Sequence, residues 1–346
     1  MSQVINMDEQ QVHIPELFPE PWQSAVRALL TQQGERVEEL RFRAARPPVW
    51  VSERRERPLR CRGGPDRAEP ALLEEIVQRA AGRSVYAVQE QLRAGYLSLR
   101  GGHRLGVCGS VTAEGRSIKT MRSFQSLNLR LARERLGCGE AVCAWLRRNP
   151  GSLLLIGPPG IGKTTLLRDC VRQISDGEGQ RVGLVDERGE LAACWNGVPQ
   201  LNVGTKTDVL TGCPKAVGME LLLRTMSPDW IAVDEISGEA DAEALVRASC
   251  CGVRFLATAH ADSSEDLRRR PVYRSLLAAA VFETVAVLGE DRSIHCERMN
   301  HGVFEMDSIR DDPALLHMGG TSRGPAAAQN GRAAAGALYG AGAYDG

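Results

Sequence analysis

The sequence predicts an α/β fold: a doubly wound, mostly parallel core, preceded by a smaller α+β N-terminal domain. Three observations carry this. Residues Gly157-Pro158-Pro159-Gly160-Ile161-Gly162-Lys163-Thr164-Thr165 fill every position of the pattern G-x-x-x-x-G-K-[ST], between the apolar run Leu153–Ile156 and a helix opening at Leu166. Short apolar runs at Val182–Val185, Trp230–Val233 and Val253–Thr258 suit central strands covered on both faces. Glu239–Cys251 reads as a helix between two of them, stopped by Gly252, which gives the strand–helix alternation of a parallel sheet.

Ahead of that core, from about Val12 to Leu136, short helices and strands alternate. Pro70–Ala81 has helical spacing, with proline at its start and Gly82 as its stop. Tyr86–Arg93 is a second expected helix, closed by Gly95. Tyr96–Leu99 and Arg104–Val107 flank Gly101-Gly102 and predict a hairpin. Ser126–Leu131 alternates polar and apolar residues, as a half-buried strand does. We assign residues 1–136 to the N-terminal domain, 137–150 to a linker helix ending at Pro150, and 151–317 to the nucleotide-binding domain. Residues 318–346 are rich in Gly and Ala and are expected to form a disordered tail. No internal repeat is found.

The chain has 346 residues, more than one typical domain, and its 43 basic residues balance 43 acidic ones. A formal net charge of zero argues against a protein that holds nucleic acid by bulk electrostatics. Arg54-Arg55 and Arg268-Arg269-Arg270 are local basic clusters that acidic neighbours offset. The ten cysteines are scattered and include the adjacent pair Cys250-Cys251. Asp8 and Glu9 near the N-terminus break the profile of a signal peptide, so free thiols in a reducing cytoplasm are expected. The longest apolar stretch, Leu276–Leu288, is interrupted by Glu283 and Thr284, which predicts a soluble or peripheral protein.

The phosphate loop fixes the class of ligand. Residues Gly157, Pro158, Pro159, Gly160, Ile161 and Gly162 would curl backbone N–H groups round a polyphosphate at a helix N-terminus. Lys163 would reach the β- and γ-phosphates, Thr164 would join a Mg²⁺ shell, and Thr165 completes the loop. Trp230-Ile231-Ala232-Val233 then delivers Asp234 to the metal's outer shell, and Glu235 is placed to polarise the attacking water. Glu187 and Glu190 follow the strand after the phosphate-loop helix, at the edge where ligands of open α/β sheets sit. His260, with Thr258 before it, ends another strand and could sense the γ-phosphate. Thr205-Lys206-Thr207-Asp208 has the form of a guanine-reading element, but it precedes the Asp234 strand, so guanine specificity is rejected. His295, Cys296 and His301 lack the paired spacing of a zinc site.

These residues resemble a known family. Leu223-Arg224-Thr225-Met226-Ser227-Pro228-Asp229, the acidic pair, Gly238–Glu243 and Thr258-Ala259-His260-Ala261 are similar to the type II/type IV secretion ATPases, whose core is a RecA-like P-loop NTPase. Asp234 departs from them, since those enzymes usually have glycine before the glutamate. Within that superfamily the chain resembles the stage III sporulation AA family of endospore formers. The resemblance spans about Val37 to Ile309 and rests on Glu39–Arg43, Arg46-Pro47-Pro48, Gly101–Gly109, Val185–Glu190 and Asp266–Tyr273. It implies a Mg²⁺-dependent ATPase forming a homo-oligomer, a hexameric ring, on the cytoplasmic face of membrane-embedded stage III sporulation channel proteins. Its place would be the mother cell, beneath the channel to the forespore. Arg104 and Arg130 match the N-terminal-domain arginines that reach the nucleotide in that family. A nucleotide-gated scaffold with incidental hydrolysis is the alternative reading. A DNA-directed motor is disfavoured because no basic, aromatic-rich track is present, and no nucleic acid partner is expected.

Overall fold

Alternation builds the N-terminal sheet. In β1 (Glu39–Arg43) Leu40 and Phe42 are buried while the charged residues between them face outward. β2 (Val49–Ser52), β3 (Arg55–Pro58), β4 (Tyr96–Ser98), β5 (Arg104–Glu114) and β6 (Ser117–Arg130) join it in an antiparallel sheet of order β3-β2-β1-β6-β5-β4. Helices Trp22–Gln33 and Pro70–Ala80 cover one face, and Phe42 packs on Phe18 at 5.1 Å and edge-on against Trp22 at 5.9 Å. The computed structural model describes residues 11–307 apart from 34–35, 54, 83–87, 115–116, 292 and 301–302. The second expected helix is found over Gln89–Arg93, its start at Tyr86 lying outside the described residues. Arg54 and the tail from 318 onward lie outside them too.

The second sheet follows a different rule. All four residues of β7 (Leu153–Ile156) are buried, because Leu153 and Leu155 enter one core while Leu154 and Ile156 enter another. A strand covered on both faces needs no polar alternation. β8 (Val182–Asp186), β9 (Thr207–Thr211), β10 (Trp230–Val233), β11 (Arg254–Ala259) and β12 (Thr284–Leu288) run parallel to it. Antiparallel β13 (Ile294–Asn300) and β14 (Val303–Asp307) extend one edge, giving the order β14-β13-β12-β7-β11-β10-β8-β9. Helix Lys163–Gly177 lies in one layer, and helices Lys215–Thr225, Glu239–Ser249 and Pro271–Ala278 lie in the other.

The expected linker at 137–150 has a larger role than connection. Helix Glu140–Arg148 buries Val142, Cys143, Trp145 and Leu146 in the same core as the phosphate-loop helix. The buried Asp169 carboxylate accepts the Gly139 N–H at 2.7 Å, fastening the helix start to that layer. Burying such side chains contributes about 1.5–3 kcal/mol each, far more than a free linker would gain. The ten cysteines are free thiols. Among the described residues no helix is long and apolar enough to cross a membrane.

Candidate active site

Strands β7, β8, β10 and β11 end at one edge of the parallel sheet, so the loops after them converge there. After β7 the chain turns through Gly157–Gly162 into helix Lys163–Gly177. Gly162 has a φ of 111°, and a Cβ at Gly157 would approach the Leu288 carbonyl to 2.9 Å, so both positions are held to glycine. Gly162 brings no capping side chain, which leaves the first N–H groups of the helix to a ligand or to water.

Lys163 is buried, and its three donors are taken by neutral acceptors. Nζ donates to the Gly157 carbonyl at 2.7 Å, the Pro158 carbonyl at 2.9 Å and His260 Nδ1 at 3.1 Å. Burial pushes its ammonium below the ordinary lysine value, against the opposing charges of Asp234, Glu235 and Asp262. A phosphate oxygen is a stronger acceptor than any of these three partners, so the site fits an anionic ligand. Because an ammonium only donates, His260 Nδ1 must accept, which puts the imidazole proton on Nε2. That nitrogen lies 3.5 Å from Glu235 Oε1. A line of contact thus runs from the phosphate-loop lysine through His260 to Glu235.

Asp234 and Thr164 meet on the other side of Lys163. Thr164 Oγ1 donates to Asp234 Oδ2 at 2.9 Å, and Thr258 Oγ1 donates to Asp234 Oδ1 at 2.7 Å. Buried Thr258 also accepts the Glu235 N–H at 2.8 Å. Thr258 therefore locks both acidic residues rather than facing a ligand. A hydroxyl and a carboxylate are hard oxygen donors, and one or two such groups are what Mg²⁺ takes from a protein when phosphate and water complete its shell. The residues present fit Mg²⁺–nucleotide.

The loop after β8 divides its charges. Asp186 is buried, and its carboxylate accepts the N–H groups of Glu190, Leu191 and Ala192 at 2.8–3.1 Å. Arg168, buried on the phosphate-loop helix, donates to the carbonyls of Leu191 at 2.6 Å and Glu190 at 2.7 Å. Glu187 pairs with Lys215, on the next helix. The sequence expectation has Glu187 facing the nucleotide beside Glu190; here its carboxylate is engaged by that ammonium. Glu190 bonds Arg104 at 3.0 Å across the gap between the two sheets.

Arg104 starts β5, stacks over Tyr96 at 3.6 Å and lines a cavity of about 210 Å³ with Thr165, Arg168, Arg188 and Glu190. Arg130 is its cross-strand partner on β6, but its guanidinium is exposed and bonds Glu39 at 3.2 Å. The structure therefore brings Arg104 to the phosphate-loop side and leaves Arg130 at the surface. Thr205 and Lys206 bond Asp176, Ser175 and Gly179, at the far end of the phosphate-loop helix. Cys296 is buried, which pushes its thiol up to about 12, and His301 lies outside the described residues.

Sequence reasoning assigned no role to Arg168 or Arg188, and it grouped Asp186 with the carboxylates facing the nucleotide, whereas Asp186 accepts N–H groups of its own loop. Arg188 sits in a charged turn, where an arginine reads as solvated; its contact with Glu235 at 3.2 Å appears only in three dimensions.

The sequence profile of the family described as "Sporulation stage III, protein AA" matches residues 22–305. The chain is 39% identical over 275 residues to stage III sporulation protein AA of Bacillus subtilis (strain 168), covering 78% of this chain and 88% of that one. Among solved structures it is similar to the ATPase DotB of Yersinia pseudotuberculosis, with a TM-score of 0.54 at 14% identity over 82% of this chain and 80% of that chain. It is equally similar to the pilus retraction motor PilT solved with bound ADP, with a TM-score of 0.54 at 16% identity over 78% and 80%. At such identities the likeness shows the shared fold, a RecA-like P-loop core with a smaller α+β domain before it.

Proposed function

The chain belongs to the sporulation stage III protein AA family, and on that premise we propose that it is a Mg²⁺-dependent ATPase. The observation that carries this is the contact line from Lys163 through His260 to Glu235, beside the Thr164–Asp234 pair. Bound Mg²⁺ would neutralise charge developing on the β- and γ-phosphate oxygens. Thr164 and Asp234 would hold it.

The protein's own residues do the rest. The N–H groups of the phosphate loop and the Lys163 ammonium bind and orient the triphosphate. When Lys163 turns to a phosphate oxygen, His260 Nδ1 loses its donor, and the Nε2 proton beside Glu235 becomes free to move. Glu235, held by Thr258 through its N–H, accepts a proton from the attacking water. Arg104 reaches across from the N-terminal domain to the cavity it lines with Thr165 and Arg168, beside the phosphate loop, where a guanidinium suits phosphate oxygens. Glu190 anchors Arg104.

We propose a hexamer at the cytoplasmic face of membrane-embedded stage III sporulation channel proteins in the mother cell, with hydrolysis powering or gating that channel. The test is Lys163→Ala. It should abolish hydrolysis and weaken binding of a fluorescent ATP analogue by at least about tenfold, since the loop loses its only ammonium. Wild-type affinity in the variant would remove the phosphate loop from the account.

A further inference from the structure

The Asp186–Ala192 loop sends successive charged side chains to three different elements. Glu187 goes to Lys215, which lies 4.0 Å from Asp241. Arg188 goes to Glu235 Oε2 at 3.2 Å, at the end of β10. Glu190 goes to Arg104 of the N-terminal sheet at 3.0 Å. The loop is anchored just after Arg188, where Asp186 takes the N–H groups of Glu190, Leu191 and Ala192 and Arg168 takes two carbonyls. Arg188 is therefore a largely exposed cation on an anchored loop.

Its target needs holding. Glu235 has a φ of 47°, a left-handed backbone that strains a non-glycine residue, and Thr258 fixes only its backbone. Among the described residues, two groups contact the carboxylate within 4 Å: His260 Nε2 at 3.5 Å on Oε1, and Arg188 on Oε2. The first distance is too long for a strong hydrogen bond. Arg188 is the closer contact and the one with a permanent charge.

We propose that Arg188 is a positioning residue that aims the Glu235 carboxylate at the attacking water. Through the two-residue spacing to Glu190, it ties that aim to the contact with Arg104 on the N-terminal domain. The inference rests on the ATPase reading and deepens it. It separates Arg188 from the residues that grip phosphate: its effect lies in the chemical step and not in nucleotide affinity.

The experiment is single-turnover ATP hydrolysis together with equilibrium binding of a fluorescent ATP analogue. The proteins are full-length wild type, Arg188→Ala, Arg188→Lys, Glu235→Gln and the double variant Arg188→Ala/Glu235→Gln. Arg188→Ala should slow hydrolysis by about ten- to a hundredfold, the range expected for losing one charge-assisted hydrogen bond, with the dissociation constant unchanged within about twofold. Arg188→Lys should recover part of the rate. In the Glu235→Gln background the alanine change should slow hydrolysis no further, because the carboxylate it positions is gone. A rate at or above wild type in Arg188→Ala overturns the proposal, as does a loss of affinity of about tenfold, which would make Arg188 a phosphate ligand. Fully additive effects in the double variant also overturn it. If Glu235→Gln alone hydrolyses at the wild-type rate, the base assignment fails first, which separates the two claims.

Discussion

Asp234 and Glu235 are chain neighbours, and an extended strand would send their side chains to opposite faces. They nevertheless serve one site, because β10 stops at Val233 and Glu235 takes a left-handed backbone. Thr258 makes that arrangement possible by donating to Asp234 and accepting the N–H of Glu235. Removing its hydroxyl would leave a buried N–H without a partner, at about 1–3 kcal/mol. Thr258→Val should therefore lower the melting temperature and cut turnover by at least about tenfold. Thr258→Ser, which keeps the hydroxyl, should retain most of both. Thermal melts and steady-state turnover check this, and a stable, active valine variant would contradict it. The acidic pair was legible in the sequence because an apolar strand delivers it. The kink was not, since a left-handed glutamate has no compositional mark.

At the scale of elements, the loop after β8 and the hairpin bearing Arg104 face each other across a cavity of about 210 Å³. Arg104 is one-third exposed and braced by Tyr96 and Glu190, so it contributes little to stability and is set at a defined place. Arg104→Ala should lower turnover by roughly ten- to a thousandfold, as loss of one charge-stabilising donor does elsewhere, while the melting temperature stays put. Arg104→Lys should rescue only in part, lacking the planar fork. Full activity in both variants would leave the N-terminal domain with a docking role alone. The central strands were readable because β7, β8 and β10 are apolar throughout. β1 and β3 were not, because Glu39-Leu40-Arg41-Phe42-Arg43 and Arg55-Glu56-Arg57-Pro58 bury at most two side chains each and look like charged loop. The helix at Glu140–Arg148 was seen, but its five buried side chains make it a wall of the core.

At the scale of the whole molecule, the two sheets carry separate cores, and the contacts between them include Arg104 with Glu190, the Gly101 N–H with Gln200 at 2.8 Å, Glu134 with the Asn202 N–H, and Leu201 packed close on Gly102. Two domains with separate cores are expected to move relative to each other unless a large apolar interface joins them. A ring would set that movement by contact between neighbours, so specific activity should rise with protein concentration and light scattering should report larger particles with ATP than without. Full turnover from a concentration-independent monomer would contradict the ring. We propose Glu235 as the base of an ATPase whose phosphate loop carries Lys163. Single-turnover hydrolysis by Glu235→Gln, with ATP binding measured on the same samples, tests this most directly. Binding should match wild type while hydrolysis slows by about 10² to 10⁴. Hydrolysis within about threefold of wild type would contradict it.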